Sequence, residues 1–142
     1  MFQKFVILFF VFSLLLAACS NPLQGLSPAP WEPVAGDADL SRGEVFLTEK
    51  EIQVETSDPA QYLLFLSGTL PTPCHQLRLT VSEPDEKNQI NVEAYSVFDP
   101  SEVCIQVLES FEENIPLGSF SSGSQITYTV LVNGQSVGQF VP

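Results

Sequence analysis

The chain has 142 residues, with 17 Asp+Glu against 5 Lys+Arg and a formal net charge of −12. Hydrophobic residues make up 44% of it, enough to build the core of one ordinary domain. So acidic a surface repels phosphate backbones and excludes nucleic acid as a partner. Its acidic residues are scattered rather than blocked, which suits a soluble, self-repelling surface better than a store for cations.

Lys4 gives a minimal positive start, and the run from Phe5 to Leu16 is apolar apart from Ser13. Ala17 and Ala18 then precede Cys19, the order of parts expected of a signal peptide. A helix over that run is about 18 Å long, far short of the roughly 30 Å hydrocarbon core. It is therefore a signal segment and not a membrane span.

Leu16-Ala17-Ala18-Cys19 resembles the lipobox of bacterial prolipoproteins. The resemblance implies that residues 1–18 are removed and that the sulfur of Cys19 receives a diacylglyceryl group. Cys19 then becomes an acylated N-terminus. A thiolate is the natural nucleophile for that transfer, and two or three chains hold a protein on a membrane far better than one. An ordinary secretory signal with a chance cysteine is the competing reading.

The expectation is a lipid anchor in the cell membrane or outer membrane, with the domain facing the periplasm or the exterior. Ser20 stands where an Asp would suggest inner-membrane retention in Gram-negative lipoproteins. After processing, Arg42, Lys50, Arg78 and Lys87 face seventeen acids, a net charge of −13, so the domain is repelled by anionic headgroups. With Cys19 lipidated, Cys74 and Cys104 remain, and an oxidising compartment pairs them.

Residues 19–42 read as a flexible tether. "SNPLQGLSPAPWEPVAGDADLS" holds four Pro and two Gly without apolar periodicity. Trp31 is its one large aromatic, and it suits a docking contact, an interfacial perch or an accidental linker residue equally well. The domain then occupies residues 43–142. Val45–Leu47 and Ile52–Val54 are two short strands, or one strand broken by a bulge. "YLLFLSGTL" is apolar on both faces, as a central strand should be.

"QLRLTVS" puts Leu77, Leu79 and Val81 on one face, and "QINVEA" does the same with Ile90, Val92 and Ala94. With the turn "EPDEKN" between them, 76–83 and 89–97 form a hairpin. "VCIQVLESF" predicts a strand over 103–111 that buries Val103, Ile105 and Val107. Asn133-Gly134 between two β-rich runs signals a type I′ hairpin. Pairing Val132 with Gln135 sets Val137 opposite Val130, on a core face with Tyr128 and Ile126, and a bulge at Gly138 turns Phe140 inward. The fold class is all-β: an antiparallel β-sandwich of immunoglobulin-like type, with about seven strands and one disulfide.

In order, "SGTLPTPCHQL", "CIQVLESFEENIPLG" and "YTVLVNGQSVGQF" resemble a domain family of secreted bacterial proteins and lipoproteins. The match spans residues 45–141 and implies a compact β-sandwich with a Cys74–Cys104 bridge; it carries no activity. The chain departs from the family at "VETSDPAQY", which is polar where an apolar lead-in belongs. Strands two places apart in one sheet stand about 9.6 Å apart, whereas a disulfide needs Cα atoms within about 7 Å. Either Cys74 lies in a loop that folds back, or the two strands lie in facing sheets. Closing that loop stabilises by roughly 3–4 kcal/mol in the chain-entropy model.

Catalytic chemistry finds little support. His75 is the single histidine, and both thiols near a zinc site there belong to the bridge. "GSFSSG" does not fit the nucleophile-elbow pattern. The pairs Asp85/Glu86 and Glu112/Glu113 fall next to turns, whereas a glycosidase sets two carboxyls across a cleft. "SEPDEKN" and "DPSE" lack calcium-loop spacing. The sequence therefore predicts no enzyme, no cofactor and no metal, but a non-catalytic binding or structural module of the cell envelope that meets a protein or a glycan. The alternative is an inhibitor of secreted proteases. Its contact loop would be Leu70, Pro71, Thr72, Pro73 and His75, stiffened by two prolines and the disulfide so that less entropy is lost on binding.

Overall fold

The computed structural model describes residues 28–142 except positions 58 and 122. The expected signal peptide, Cys19 and residues 20–27 of the expected tether lie outside the described residues. Eight strands follow in order: β1 (Ser41–Gly43), β2 (Phe46–Glu55), β3 (Gln61–Leu70), β4 (Gln76–Val81), β5 (Gln89–Phe98), β6 (Glu109–Ser119), β7 (Tyr128–Val132) and β8 (Gln135–Phe140). They form two sheets, β2-β3-β6 and a five-stranded sheet built around β5. This is the β-sandwich that the alternating patterns predict.

β3 is central in its sheet, with Leu64 and Leu66 fully buried and Leu63 and Phe65 half-buried on the outer face. β2 is one strand with a bulge between Leu47 and Glu49. There it closes so tightly on β3 that a Cβ at Gly68 would collide with the carbonyl oxygen of Phe46. β4 and β5 make the expected hairpin, whose inward side chains meet those of β3 and β6 in the core.

After β5 the chain leaves for the other sheet as β6 and returns as β7. Two crossings restore its direction, so β7 pairs with β5 in parallel. The other pairs are antiparallel among the described residues. β1 and β7 share the edge of β5 opposite β4, leaving Glu93 to Tyr95 unpaired between them. The side chain of Asn133 fills that gap. Its amide donates to the Ala94 carbonyl at 2.9 Å and accepts the Ala94 N–H at 2.8 Å, as a strand would.

The β7–β8 turn is type I′, with φ of 49° at Asn133 and 79° at Gly134. Val132 pairs with Gln135 as expected, and the predicted bulge is present. The register beyond it differs, however. Gly138, not Val137, stands opposite Val130, because Val137 is the extra residue of the bulge. Phe140 is thereby turned into the core and stacks on Tyr62 with ring centroids 4.0 Å apart. Ile126 precedes β7 and is exposed rather than in the core.

Two further expectations are corrected. Residues 103–108 are not strand: the chain is crossing between sheets there, and pairing with β3 begins only at Glu109. Val103, Ile105 and Val107 have an alternation suited to a strand but no sheet on which to use it. The expected tether also gives way to folded structure well before residue 42. Trp31 packs against the core, residues 35–39 form a 3-10 helix, and β1 pairs with β5. Asp37 accepts hydrogen bonds from Arg78 Nε at 2.7 Å and Nη2 at 2.9 Å. The Trp31 carbonyl takes the Leu79 N–H on the open edge of β4.

Candidate functional site

At one end of the sandwich, the loop from β3 to β4 meets the crossing from β5 to β6. The Cys74–Cys104 disulfide joins them with Cα atoms 6.0 Å apart. Both cysteines lie in loops, and β4 and β6 lie in opposite sheets, which resolves the spacing conflict of a three-strand meander.

The predicted contact loop is brought together there but folds inward. Leu70 and Thr72 are buried, Pro71 and His75 are half-buried, and only Pro73 of these five is exposed. Thr72 Oγ1 lies 2.8 Å from His75 Nδ1, and the Thr72 carbonyl accepts the His75 N–H at 3.1 Å. The imidazole stacks on Phe98 with centroids 4.5 Å apart. Its packing is that of a strut beneath the loop. Glu112 and Glu113 lie within β6 rather than beside a turn, on opposite faces of the strand.

The crossing is what this end presents to solvent. Val103 is 99% exposed, Ile105 67%, Val107 56% and Leu108 60%. Within residues 103–108 the Val107 N–H alone has a backbone acceptor among the described residues, the Ile105 carbonyl. A recess of about 160 Å³ behind this row is lined by the disulfide, Thr72, His75, Phe98 and Glu102. The Asp99 carboxylate accepts from the Ser101 O–H at 2.6 Å and the Ser101 N–H at 2.8 Å, which holds its pKa below the ordinary value. Asp99, Glu102, Glu109 and Glu112 gather acidic charge here, and Arg42, whose strand meets β5 opposite Val97, is paired with Glu93.

The disulfide spacing required only a loop at Cys74 or strands in facing sheets, and it did not mark residues 103–108 as a loop. Periodicity alone pointed the other way. A second concavity of about 630 Å³ lies over the gap in β5, lined by Arg42, Asn91, Glu93, Tyr95 and Asn133. Its charged groups satisfy one another. Arg42 pairs with Glu93 at 2.5 Å and lies 3.7 Å above the centre of the Tyr95 ring. Among the described residues, no group of three or more His, Cys, Asp or Glu is placed to hold a metal ion.

Residues 64–141, more than half of the chain, match the family model described as ORF11 beta-sandwich domain. No curated protein and no solved structure matches the chain.

Proposed function

The chain belongs to the ORF11 beta-sandwich domain family, and on that premise we propose that it is an exported lipoprotein, anchored through Cys19, whose sandwich is a non-catalytic protein-binding module of the cell envelope. The observation that carries the binding role is the row Val103, Ile105, Val107 and Leu108, each more than half exposed on a segment tied down by Cys104. Covering one such side chain is worth about 1.5–3 kcal/mol, and contiguous exposed apolar surface marks interaction sites. The disulfide reduces the ordering cost of binding. Anchoring rests on the lipobox resemblance at 16–19 and on the short signal segment before it.

A photo-crosslinking side chain placed at Ile105 of the anchored protein in intact cells tests the binding role. A discrete covalent adduct is expected there and not at Gln53, an exposed position on β2. Equal background at both positions would sink the protein-binding role and turn attention to polysaccharide pull-downs. Incorporation of labelled palmitate, lost in Cys19→Ser, tests the anchor.

The protease-inhibitor reading is favoured by the same exposed row more than by residues 70–76, of which only Pro73 and Gln76 are exposed. Its mark is saturable inhibition in a protease panel, abolished by Ile105→Asp.

A further inference from the structure

The disulfide-tied end lies next to β6, a long strand with an unpaired edge among the described residues. β4 is capped by residues 29–32, through the Leu79-to-Trp31 hydrogen bond. β2 and β8 lie beside each other, with Lys50 Nζ donating to Gln135 Oε1 at 3.1 Å and Ile52 against Gly138. β6 pairs with β3 on one side and with no strand on the other among the described residues. Residues 103–108 lead directly into it with their N–H groups largely unpaired. Backbone donors and acceptors in such a row are a template for another extended chain.

Charge decides which chain. β6 carries Glu109, Glu112 and Glu113, and Asp99 and Glu102 precede it, while the basic residues nearest in the fold are engaged elsewhere, Arg42 with Glu93 and Lys50 with Gln135. A second copy pairing edge to edge would set carboxylate against carboxylate, which destabilises a sheet. An anionic membrane surface is repelled for the same reason. The exposed row is aliphatic and offers no aromatic ring on which a sugar could stack. Acidic flanks around aliphatic side chains complement a strand that alternates Lys or Arg with aliphatic residues.

We propose that residues 103–115 take up such a segment of a partner protein by strand addition, with Pro116 ending the register because it has no N–H to offer. This rests on reading the disulfide-tied end as a protein-binding surface.

The test uses the full chain in detergent micelles and three synthetic ten-residue peptides, alternating Val with Lys, with Glu or with Ser. The Val/Lys peptide is expected to bind, more weakly as salt is raised, and the Val/Glu peptide not at all. Glu109→Lys with Glu112→Lys should weaken binding by about tenfold or more, since the two charges lie on opposite faces of β6 and the Lys side chains meet one of them whichever face they take. Glu83→Lys with Glu86→Lys makes the same change in net charge at the β4–β5 turn, and should leave affinity within about twofold. Methylating alternate amide nitrogens along one edge of the Val/Lys peptide should abolish binding.

Equal binding of the Val/Glu peptide, equal loss in both charge-reversal pairs, or tolerance of methylation on both edges would each overturn the proposal. A Val/Lys peptide that fails to bind, beside a discrete adduct at Ile105 in cells, overturns the basic strand and leaves the protein-binding module standing. Failure of both experiments overturns both.

Discussion

Arg78 is almost fully buried, yet every direction in which its guanidinium points holds an acceptor. Besides the two oxygens of Asp37 it donates to the carbonyls of Leu77 and Pro30 and to Gln76 Oε1. Hydrogen bonds from Arg78, and then from the Val34 N–H, hold the Asp37 carboxyl below its ordinary value of 3.8. Glu113 is the opposite case: it shares a row with Leu66 on β3, and burial pushes its pKa above the ordinary 4.5. A depressed carboxyl pKa stabilises the fold above the ordinary value, and that contribution is lost as pH falls through it toward the folded value. A raised one has the reverse sign, with a contribution present below the ordinary value and lost as pH rises through the folded value. Glu113→Gln should therefore raise the thermal midpoint near neutral pH and have no effect near pH 3. Asp37→Asn should lower the midpoint near neutral pH, by progressively less as the solution is acidified below about pH 4. Thermal unfolding at a series of pH values checks both signs, and parallel shifts for the two variants would refute the assignment.

Among the elements, the β7–β8 hairpin depends most on a single residue. Asn133 adopts the positive φ that the turn requires, donates its own N–H to the Val92 carbonyl, and pairs its amide with Ala94. Asn133→Asp keeps the turn but points a carboxylate oxygen at the Ala94 carbonyl, at a cost of about 1–3 kcal/mol. Asn133→Gly keeps the turn and loses only the pairing, so it should cost less; chemical denaturation of the three proteins gives the order. The turn was legible in the sequence because two adjacent residues specify it, β4 and β5 because burial stamps a period of two on them, and β3 because it is apolar on both faces. The pairing with Ala94 was not legible, since it depends on which strand lies beside the turn. Residues 103–108 failed in an instructive way: alternation reports that a segment is extended, whereas a strand also needs a neighbour, and the neighbour is chosen by distant chain. Pro and Gly made residues 28–42 read as linker, because their docking rests on Trp31 and Asp37, and Asp37's partner Arg78 lies 41 residues away. The inward fold of Leu70, Thr72 and His75 was hidden likewise, since His75, which bonds Thr72, stacks on Phe98 from the end of β5.

For the whole molecule, two sheets joined mainly by core packing receive one covalent link, between cysteines 30 residues apart in sequence. In the chain-entropy model that link contributes roughly 3–4 kcal/mol, a large part of the 5–15 kcal/mol typical of a domain. The bridge is also the only covalent brace on the segment that carries Val103, Ile105 and Val107. Its two effects separate in the variant Cys74→Ser with Cys104→Ser. Stability should fall by the chain-entropy amount, lowering the thermal midpoint on the order of 15–20 °C, while the far-ultraviolet signature of the sandwich persists at room temperature. Amides at the start of β6, where pairing with β3 begins at Glu109, should then exchange faster than in the parent protein, while those in the middle of β3 change less. Crosslinking at Ile105 should weaken in this variant although the sheets remain folded, because a looser segment must be ordered again at each encounter. A variant that loses stability yet crosslinks at the original level would show that the strut formed by Thr72, His75 and Phe98 holds this end in shape without the disulfide.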